Sequence, residues 1–255
     1  MDLGLTGKIA MVTGASRGLG RAMAHALADE GMHVSICART KVTLDDAVAA
    51  LTETGSAMGF VGDMTKPEDA QRWVDETVKK FGGIDVLVNN AGSARPGALA
   101  ELPESAWQEQ FDLNLFAPIR LARICAPHME KRGGGSIINI GSIYGRESGG
   151  PLTYNASKAA MISFTKMLAR ELAPKRIRVN TVAPGSIIYP GGVWETAFKQ
   201  NPAFEKDFIA HDFPAGRLGY PEEVAYAVLM LASPRASWIT GACIPVDGAQ
   251  GRSNI

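Results

Sequence analysis

Short apolar runs alternate with helix-periodic segments along almost the whole chain, and no other feature constrains the fold as strongly. "KIAMVTG" at 8–14 is a strand-like run that ends in glycine. "RAMAHALADEG" at 21–31 then shows helical periodicity, with Gly31 as its stop. "HVSICA" (33–38), "LDDAVAALTETG" (44–55), "AMGFVGD" (57–63), "PEDAQRWVDETVKKFGG" (67–83), "IDVLVNNAG" (84–92) and "SIINIGS" (136–142) keep the rhythm. A long helix is expected over 154–173 and a strand over 177–185. Strands covered on both faces read as continuous apolar runs. The pattern therefore predicts an α/β fold, a doubly wound parallel sheet of about seven strands with helices on both faces. No linker, composition shift or internal repeat divides residues 1–255, so one domain is expected. The stretch 186–220 breaks the rhythm with Gly, Pro and aromatics, and is expected to be a variable loop with short helices. Ligands of such sheets bind outside the carboxyl ends of the strands.

Composition excludes several classes of function. Apolar residues make up 46%, enough for a sizeable core, and 26 basic residues face 26 acidic ones. A balanced chain has no long-range field to recruit nucleic acid or an anionic membrane. The N-terminus "MDLGLTGKIAMVTG" lacks a basic start and a long apolar stretch, and no apolar run approaches the ~20 residues of a membrane span. Cys37, Cys125 and Cys243 are odd in number and scattered. They read as reduced thiols, and the chain as cytoplasmic. His25, His33, His128 and His211 have no ligand spacing, so no metal is expected.

The most informative motif is "TGASRGLG" at 13–20, between the first strand and the first helix. Gly14 lets the chain turn, while Gly18 and Gly20 allow close backbone approach to a ligand and close packing of helix on strand. The helix N-terminus offers free N–H groups and a positive dipole to a pyrophosphate. A plain tight turn is the competing reading. The spacing is G-x-x-x-G-x-G and not the usual G-x-G-x-x-G.

Taken with "NNAG" (89–92), Ser142 after the fifth strand, "YNASK" (154–158), "APG" (183–185) and "TGACIPVDGA" (240–249), this loop resembles the short-chain dehydrogenase/reductases in order and context. The resemblance covers nearly the whole chain and is to the short, single-domain branch. It implies a Rossmann-type fold, a nicotinamide cofactor and reversible oxidation of alcohols to carbonyls, with one nucleotide-binding and catalytic domain over 1–255.

An acid that grips a ribose 2′-OH is expected at the end of the second strand. That strand ends "ICART", with Ala38 in the acid's place, Arg39 after it and Arg17 in the glycine loop. A missing acid and two cations suit a 2′-phosphate, so NADP(H) is expected over NAD(H). Otherwise Arg39 is a solvated loop charge. By resemblance, Ser16, Leu19 and the loop glycines hold the cofactor, Asp63 accepts from the adenine amino group, and Met64 adds its backbone N–H. Asp63 also reads as a turn residue beside a helix. Asn90, Ala91 and Gly92 pass close to the ribose, Pro184 and Gly185 end the sixth strand, and Ile187 meets the carboxamide. Tyr189 stands where the family often has Thr.

Tyr154 and Lys158 are one turn apart and share a helix face. Free Tyr titrates near pH 10, too high for a base at neutrality. The ammonium is expected to favour the phenolate and lower that value. By resemblance Lys158 also holds the nicotinamide ribose, and Ser142 bonds the substrate oxygen; alone, Ser142 reads as a strand-end turn residue. Asn114 in "DLNLFAP" lies four residues before Pro118, which has no N–H to bond the Asn114 carbonyl. A kinked helix and a free carbonyl are expected there. In the family, a water at this place completes a proton relay with the lysine. The expected catalytic set is Asn114, Ser142, Tyr154 and Lys158.

Residues 186–213 are expected to cover the site with Tyr189, Trp194, Phe198, Phe204, Phe208 and Phe213, some lining a pocket and others anchoring the loop or meeting another subunit. Ser142, Tyr189 and Trp194 are the residues expected against substrate. Glycines 191 and 192 permit a lid to open and close. Three readings follow: an NADP(H)-dependent carbonyl reductase on a small-molecule carbonyl or alcohol, a 3-oxoacyl carrier-protein reductase specifically, or a non-catalytic nicotinamide-nucleotide sensor. A homotetramer follows by resemblance alone. The final "CIPVDGAQGRSNI" is either part of such an interface or an edge strand and tail.

Overall fold

A computed structural model describes residues 2–254. Among these, seven strands form one sheet: β1 (Ile9–Thr13), β2 (His33–Ala38), β3 (Ala57–Val61), β4 (Val86–Asn89), β5 (Gly135–Ile140), β6 (Ile177–Pro184) and β7 (Cys243–Val246). Their order is β3-β2-β1-β4-β5-β6-β7, and every pairing is parallel. The order reverses between β1 and β4, the switch point at which ligands bind in doubly wound sheets.

Nine α-helices connect the described strands: α1 (Gly18–Asp29), α2 (Lys41–Thr52), α3 (Pro67–Phe81), α4 (Glu104–Phe111), α5 (Ala117–Lys131), α6 (Leu152–Leu172), α7 (Val193–Gln200), α8 (Pro202–Asp212) and α9 (Pro221–Ala232). Met23 and Leu27 of α1, Leu44 of α2 and Val224 and Val228 of α9 bury one face of the sheet. Trp73 of α3, Leu121 of α5 and Ala169 of α6 bury the other. Central strands are thus apolar on both sides, which is why they read as continuous runs.

Local chemistry sets the helix ends. Pro67 opens α3, Glu68 and Asp69 sit in its first turn, Lys79 and Lys80 in its last, and Gly82 closes it at φ 90°. Each choice complements the helix dipole or the left-handed closing turn. Two helices begin earlier than their apolar periodicity: α1 at Gly18 and not 21, and α2 at Lys41 and not 44. Their first turns are polar or glycine-rich, so hydrophobic spacing does not mark them. Lys41 and Asp45 pair at 2.5 Å across the first turn of α2. Helix α9 is not marked by the alternation; the Glu223 carboxylate accepts the Tyr220 N–H at 2.8 Å, capping it.

Cys37 and Cys125 are buried and Cys243 is half-buried, all as free thiols. Burial pushes the Cys37 thiol up to about 12 and raises Cys125 as well, so neither ionises at neutral pH.

Beneath α3 lies a small closed polar network. The Trp73 indole N–H donates to Ser35 Oγ at 2.9 Å, Ser35 and Thr77 hydroxyls pair at 2.8 Å, and Thr77 donates to the Trp73 carbonyl at 2.8 Å. Trp73 is fully buried. Trp73→Ala is expected to cost about 3–5 kcal/mol in urea unfolding, because it opens a cavity and strips Ser35 of its donor. Trp73→Phe, which fills most of the space, is expected to cost clearly less.

Candidate active site

The turn from β1 into α1 holds the glycine loop. A methyl at Gly20 would press into the Gly14 carbonyl and the Asn90 side chain, so only hydrogen fits. Gly18 takes φ 55°, and a Cβ there would lie 2.8 Å from the Tyr189 ring. Across the switch point, Thr13 Oγ1 accepts from the N–H groups of Asn90 and Ala91, both at 2.8 Å. Asn90 Nδ2 returns bonds to the Thr13 carbonyl at 2.8 Å and the Gly14 carbonyl at 3.1 Å. These four bonds lock the glycine loop to "NNAG". Nothing in the motif spacing announced the part of Thr13.

A cavity of about 750 Å³ opens at the carboxyl ends of the strands. Gly14, Ser16, Arg17, Leu19 and Gly20 form one wall. Ala38 and Arg39 line it at the end of β2, joined by Thr40 and Thr43. Asp63 and Met64 line it after β3, and Asn90, Ala91 and Gly92 after β4. Ser142, Tyr154, Lys158, Pro184, Gly185, Ile187, Tyr189 and Trp194 complete it. Two expected residues stand elsewhere. Gly18 lies under the Tyr189 ring and faces a groove between α1 and α9. Asn114 is buried behind the cavity wall, where Leu113 takes its place. Thr43, Ser93, Ala94 and Val193 also line the cavity. They lie in polar or irregular segments that carry no motif.

Arg17 and Arg39 are both exposed on this wall, with no acid between them at the end of β2. Asp63 Oδ1 accepts from the Thr65 N–H at 3.0 Å and its hydroxyl at 2.8 Å. It is thus a turn residue and a cavity residue at once. Ile187 forms a parallel bridge with Gly219 through the Ser186 carbonyl and the Ile188 N–H. The bridge leaves the peptide groups of Ile187 itself out of the ladder. Buried Gln250 fixes this turn: its Oε1 accepts the Ser186 N–H at 2.7 Å, and its Nε2 donates to Ser186 Oγ at 3.1 Å. Sequence reasoning left Gln250 in a segment read as an interface or a tail.

Ser142, Tyr154 and Lys158 gather at the opposite wall. Lys158 is 4% exposed, donates to the Ile140 carbonyl at 2.6 Å, and stands 5.5 Å from the Tyr154 ring centroid. Burial lowers its pKa from 10.5 to about 8. The Tyr154 phenol is pushed above its ordinary value by burial, against a smaller lowering from a Ser142 hydrogen bond. This corrects the expected lowering by Lys158: the amine is turned to the Ile140 carbonyl, and desolvation outweighs the other influences. Ser142 Oγ also accepts the Tyr144 N–H at 3.1 Å, capping the turn Ile143–Gly145.

Asn114 lies in a π turn, Asp112–Phe116, between α4 and α5. The Ala117 N–H reaches back five residues to the Asp112 carbonyl. The distortion expected at Pro118 therefore takes the form of a π turn. The Asn114 side chain is fully engaged. Its Oδ1 accepts the Ser93 N–H, and its Nδ2 donates to the Ser93 carbonyl and Ser157 Oγ, each at 3.0 Å. It ties the loop after β4 to the residue before Lys158.

In the segment expected to be the lid, α7 brings Val193 and Trp194 to the cavity and packs on α8. Trp194 stacks on Phe208 at 4.6 Å, Phe204 stacks on Phe208 at 5.4 Å, and Phe213 meets Phe208 edge-on at 5.2 Å. Most lid aromatics thus anchor one another, while Trp194 also faces the cavity. Among the described residues, no His, Cys, Asp and Glu group could hold a metal, and no helix is long and apolar enough to cross a membrane.

Comparison with known proteins gives a consistent family. Residues 14–249 match the family model described as enoyl-(acyl carrier protein) reductase. The chain is 39% identical to the 3-oxoacyl-(acyl-carrier-protein) reductase FabG of Vibrio cholerae, over 96% of this chain and 98% of that one. It is 40% identical to human dehydrogenase/reductase SDR family member 4, over 96% and 87%. The L-sorbose reductase of Gluconobacter frateurii, solved with NADPH and L-sorbose, superposes with a TM-score of 0.95 at 34% identity, covering 99% of this chain and all of that one. With its seven-stranded parallel sheet and its glycine loop at the switch point, this chain belongs to the short-chain dehydrogenase/reductase family of oxidoreductases.

Proposed function

We propose that the protein interconverts a small-molecule carbonyl and its secondary alcohol, using NADP(H), with Tyr154 as general acid and base. One observation carries this reading: Ser142, Tyr154 and Lys158 meet in the same cavity as the glycine loop, Arg17 and Arg39. The walls fit the cofactor. The glycine loop forms one wall, and two guanidinium side chains face the ribose end where Ala38 leaves no acid to repel a 2′-phosphate. Gly14, Ser16, Leu19, Gly20, Asn90, Ala91, Gly92, Pro184, Gly185 and Ile187 would hold the rest, with Asp63 and Met64 at the adenine end. When bound, NADP(H) supplies or takes the hydride.

The chain's own part is proton management. In reduction, the Tyr154 hydroxyl gives its proton to the substrate oxygen, and in oxidation the phenolate takes it back. Ser142 holds that oxygen beside the phenol and disperses its charge. Lys158, positively charged below about pH 8 and one helical turn from Tyr154, would hold the nicotinamide ribose hydroxyls. Asn114 acts by position: its side chain fixes Ser157, the residue before Lys158, against Ser93.

The relatives support two kinds of substrate. FabG argues for a 3-oxoacyl group on a carrier, and the sorbose reductase for a free hydroxyketone. Trp194 and Val193 give the cavity an apolar rim suited to either. A sensor without catalysis is the weaker reading, since binding alone needs no phenol–amine pair. We assign a cytoplasmic homotetramer as the working form; exposed Met167 on α6 and exposed Tyr226 and Met230 on α9 support further burial by partner copies.

Tyr154→Phe is expected to lower kcat/KM by about 10²–10⁴-fold in an NADPH-linked assay over ketones, sugars and acyl thioesters, while NADPH binding followed by fluorescence survives. Unchanged turnover would remove Tyr154 from the proton step. Arg39→Ala is expected to lower kcat/KM for NADPH by about 10–100-fold and leave that for NADH nearly unchanged. A wild-type preference for NADH would overturn the cofactor assignment.

Lys158→Met is expected to abolish turnover yet stabilise the fold. The fall in pKa from 10.5 to about 8 corresponds to about 3 kcal/mol of penalty for the buried ammonium. Stripping the Ile140 carbonyl of its donor costs about 1 kcal/mol, leaving a net gain of about 2 kcal/mol near pH 7. The penalty is fully present below pH 8 and fades as pH rises toward 10.5. Urea unfolding of both proteins should therefore show the gap closing over that window.

A further inference from the structure

The amino ends of the strands hold a second cavity, of about 620 Å³, at the starts of β4, β5 and β6 and beside Lys8, which precedes β1. Four cations line it: Lys8, Arg132, Arg176 and Arg178. A single carboxylate, Asp85, faces them among the described residues, and both its oxygens are committed. Oδ2 accepts the Ile9 N–H at 2.8 Å, and Oδ1 accepts Arg132 Nε at 2.8 Å. An adjoining cavity shares Arg132 and adds His128 and Lys131. The whole chain carries 26 basic and 26 acidic residues, so this is a local excess within a neutral molecule.

Three of the cations, Lys8, Arg176 and Arg178, have no ion-pair partner among the described residues. Arg178 is half-buried, and its Nη2 donates to the carbonyls of Ala232 and Ser233 at 3.4 and 3.1 Å. Its Nη1 is buried without a hydrogen-bond partner among the described residues. A guanidinium held this way is poorly compensated. Arg176 is exposed at the lip and takes φ 57°, a left-handed conformation that an L side chain seldom adopts. Facing these charges is Trp238, 97% exposed, beside Ile177 and Pro234. An indole left almost wholly in water beside a cationic pocket supplies an apolar wall for whatever the cations attract.

We propose that this cavity is a second binding site, for a small organic anion: a carboxylate or phosphate head among Lys8, Arg176 and Arg178, and an aromatic or aliphatic body against Trp238. It stands at the opposite edge of the sheet from Tyr154, so the proposal does not rest on the reaction assigned above. For the same reason, this basic patch cannot seat a carrier protein that delivers substrate to Tyr154.

The test is calorimetric titration of the full chain, with and without saturating NADPH, using 2-naphthoate, 2-naphthyl phosphate and the neutral 2-naphthalenemethanol. One equivalent of at least one anion is expected to bind in the presence of NADPH, more weakly as salt is raised, and more tightly than the alcohol. The better of the two acids identifies the head group. Arg176→Glu and Trp238→Ala, both at exposed side chains, are each expected to weaken that binding by about tenfold or more. Absence of anion binding, equal binding by both variants, or an alcohol that binds as well as the anions would overturn the proposal. So would competition by NADPH, because it would place the probe in the cofactor cavity.

Discussion

A buried ammonium organises this molecule. Lys158 reaches the Ile140 carbonyl at 2.6 Å, and that carbonyl ends β5. The bond requires α6 to lie close against the end of the strand. Gly145 makes the approach possible, since a Cβ there would stand 2.7 Å from the Lys158 carbonyl group. The turn that carries Ser142 is therefore seated directly on the helix that carries Tyr154. From the other side, Asn114 joins Ser157 to the loop after β4. Three separate segments are thus drawn to one lysine, and the cost of burying its charge is met by the fold as a whole.

The same helix face stays polar deeper in the molecule. Seven residues beyond Lys158, Thr165 accepts from Asn139 Nδ2 at 2.8 Å and pairs with Thr181 Oγ1 at 2.9 Å. Asn89 donates to Asn139 at 2.8 Å. Asn89, Asn139 and Thr181 sit at one level of the sheet, in register across β4, β5 and β6. A parallel sheet buried on both faces ordinarily fills such positions with Val or Ile. Here the register turns isolated polar residues into a chain of partners, with the Asn89 carbonyl oxygen alone left unpaired among them. A connected buried network rigidifies what it joins, and this one joins three strands to α6 just below Tyr154 and Lys158.

How much of this is legible in the sequence depends on the range of the interaction. Periodicity located the first six strands, because burial leaves a largely continuous apolar run; β7, only half-buried, reads as an interface piece or an edge strand. Periodicity also missed the first turns of α1 and α2, where the residues are polar or glycine and nothing repeats. Ordered motifs placed Tyr154, Lys158, Ser142 and the glycine loop around one cavity. They said nothing of Thr13 or Gln250, whose partners lie 77 and 64 positions away. The direction of the Tyr154 shift was misread for a related reason. The spacing of Tyr and Lys gives the distance between two charges, whereas desolvation depends on every segment that closes over them.

The lid obeys a different economy. Trp194, Phe198, Phe208 and Phe213 pack into a cluster that shares no residue with the two cores on the faces of the sheet. Its helices are short, eight and eleven residues, and would not persist alone. Aromatic contact therefore holds α7 to α8, and Gly191, at φ 72°, breaks the chain just before them. Because the cluster is separate, the residues it lends to the cavity, Val193 and Trp194, can differ in size without disturbing the packing that fixes Lys158. Most of the cavity is built from strand ends that the cores hold rigid, and the wall at Val193 and Trp194 is built on a unit that carries its own core, which is the physical reason that motifs identify the reaction class and leave the substrate open.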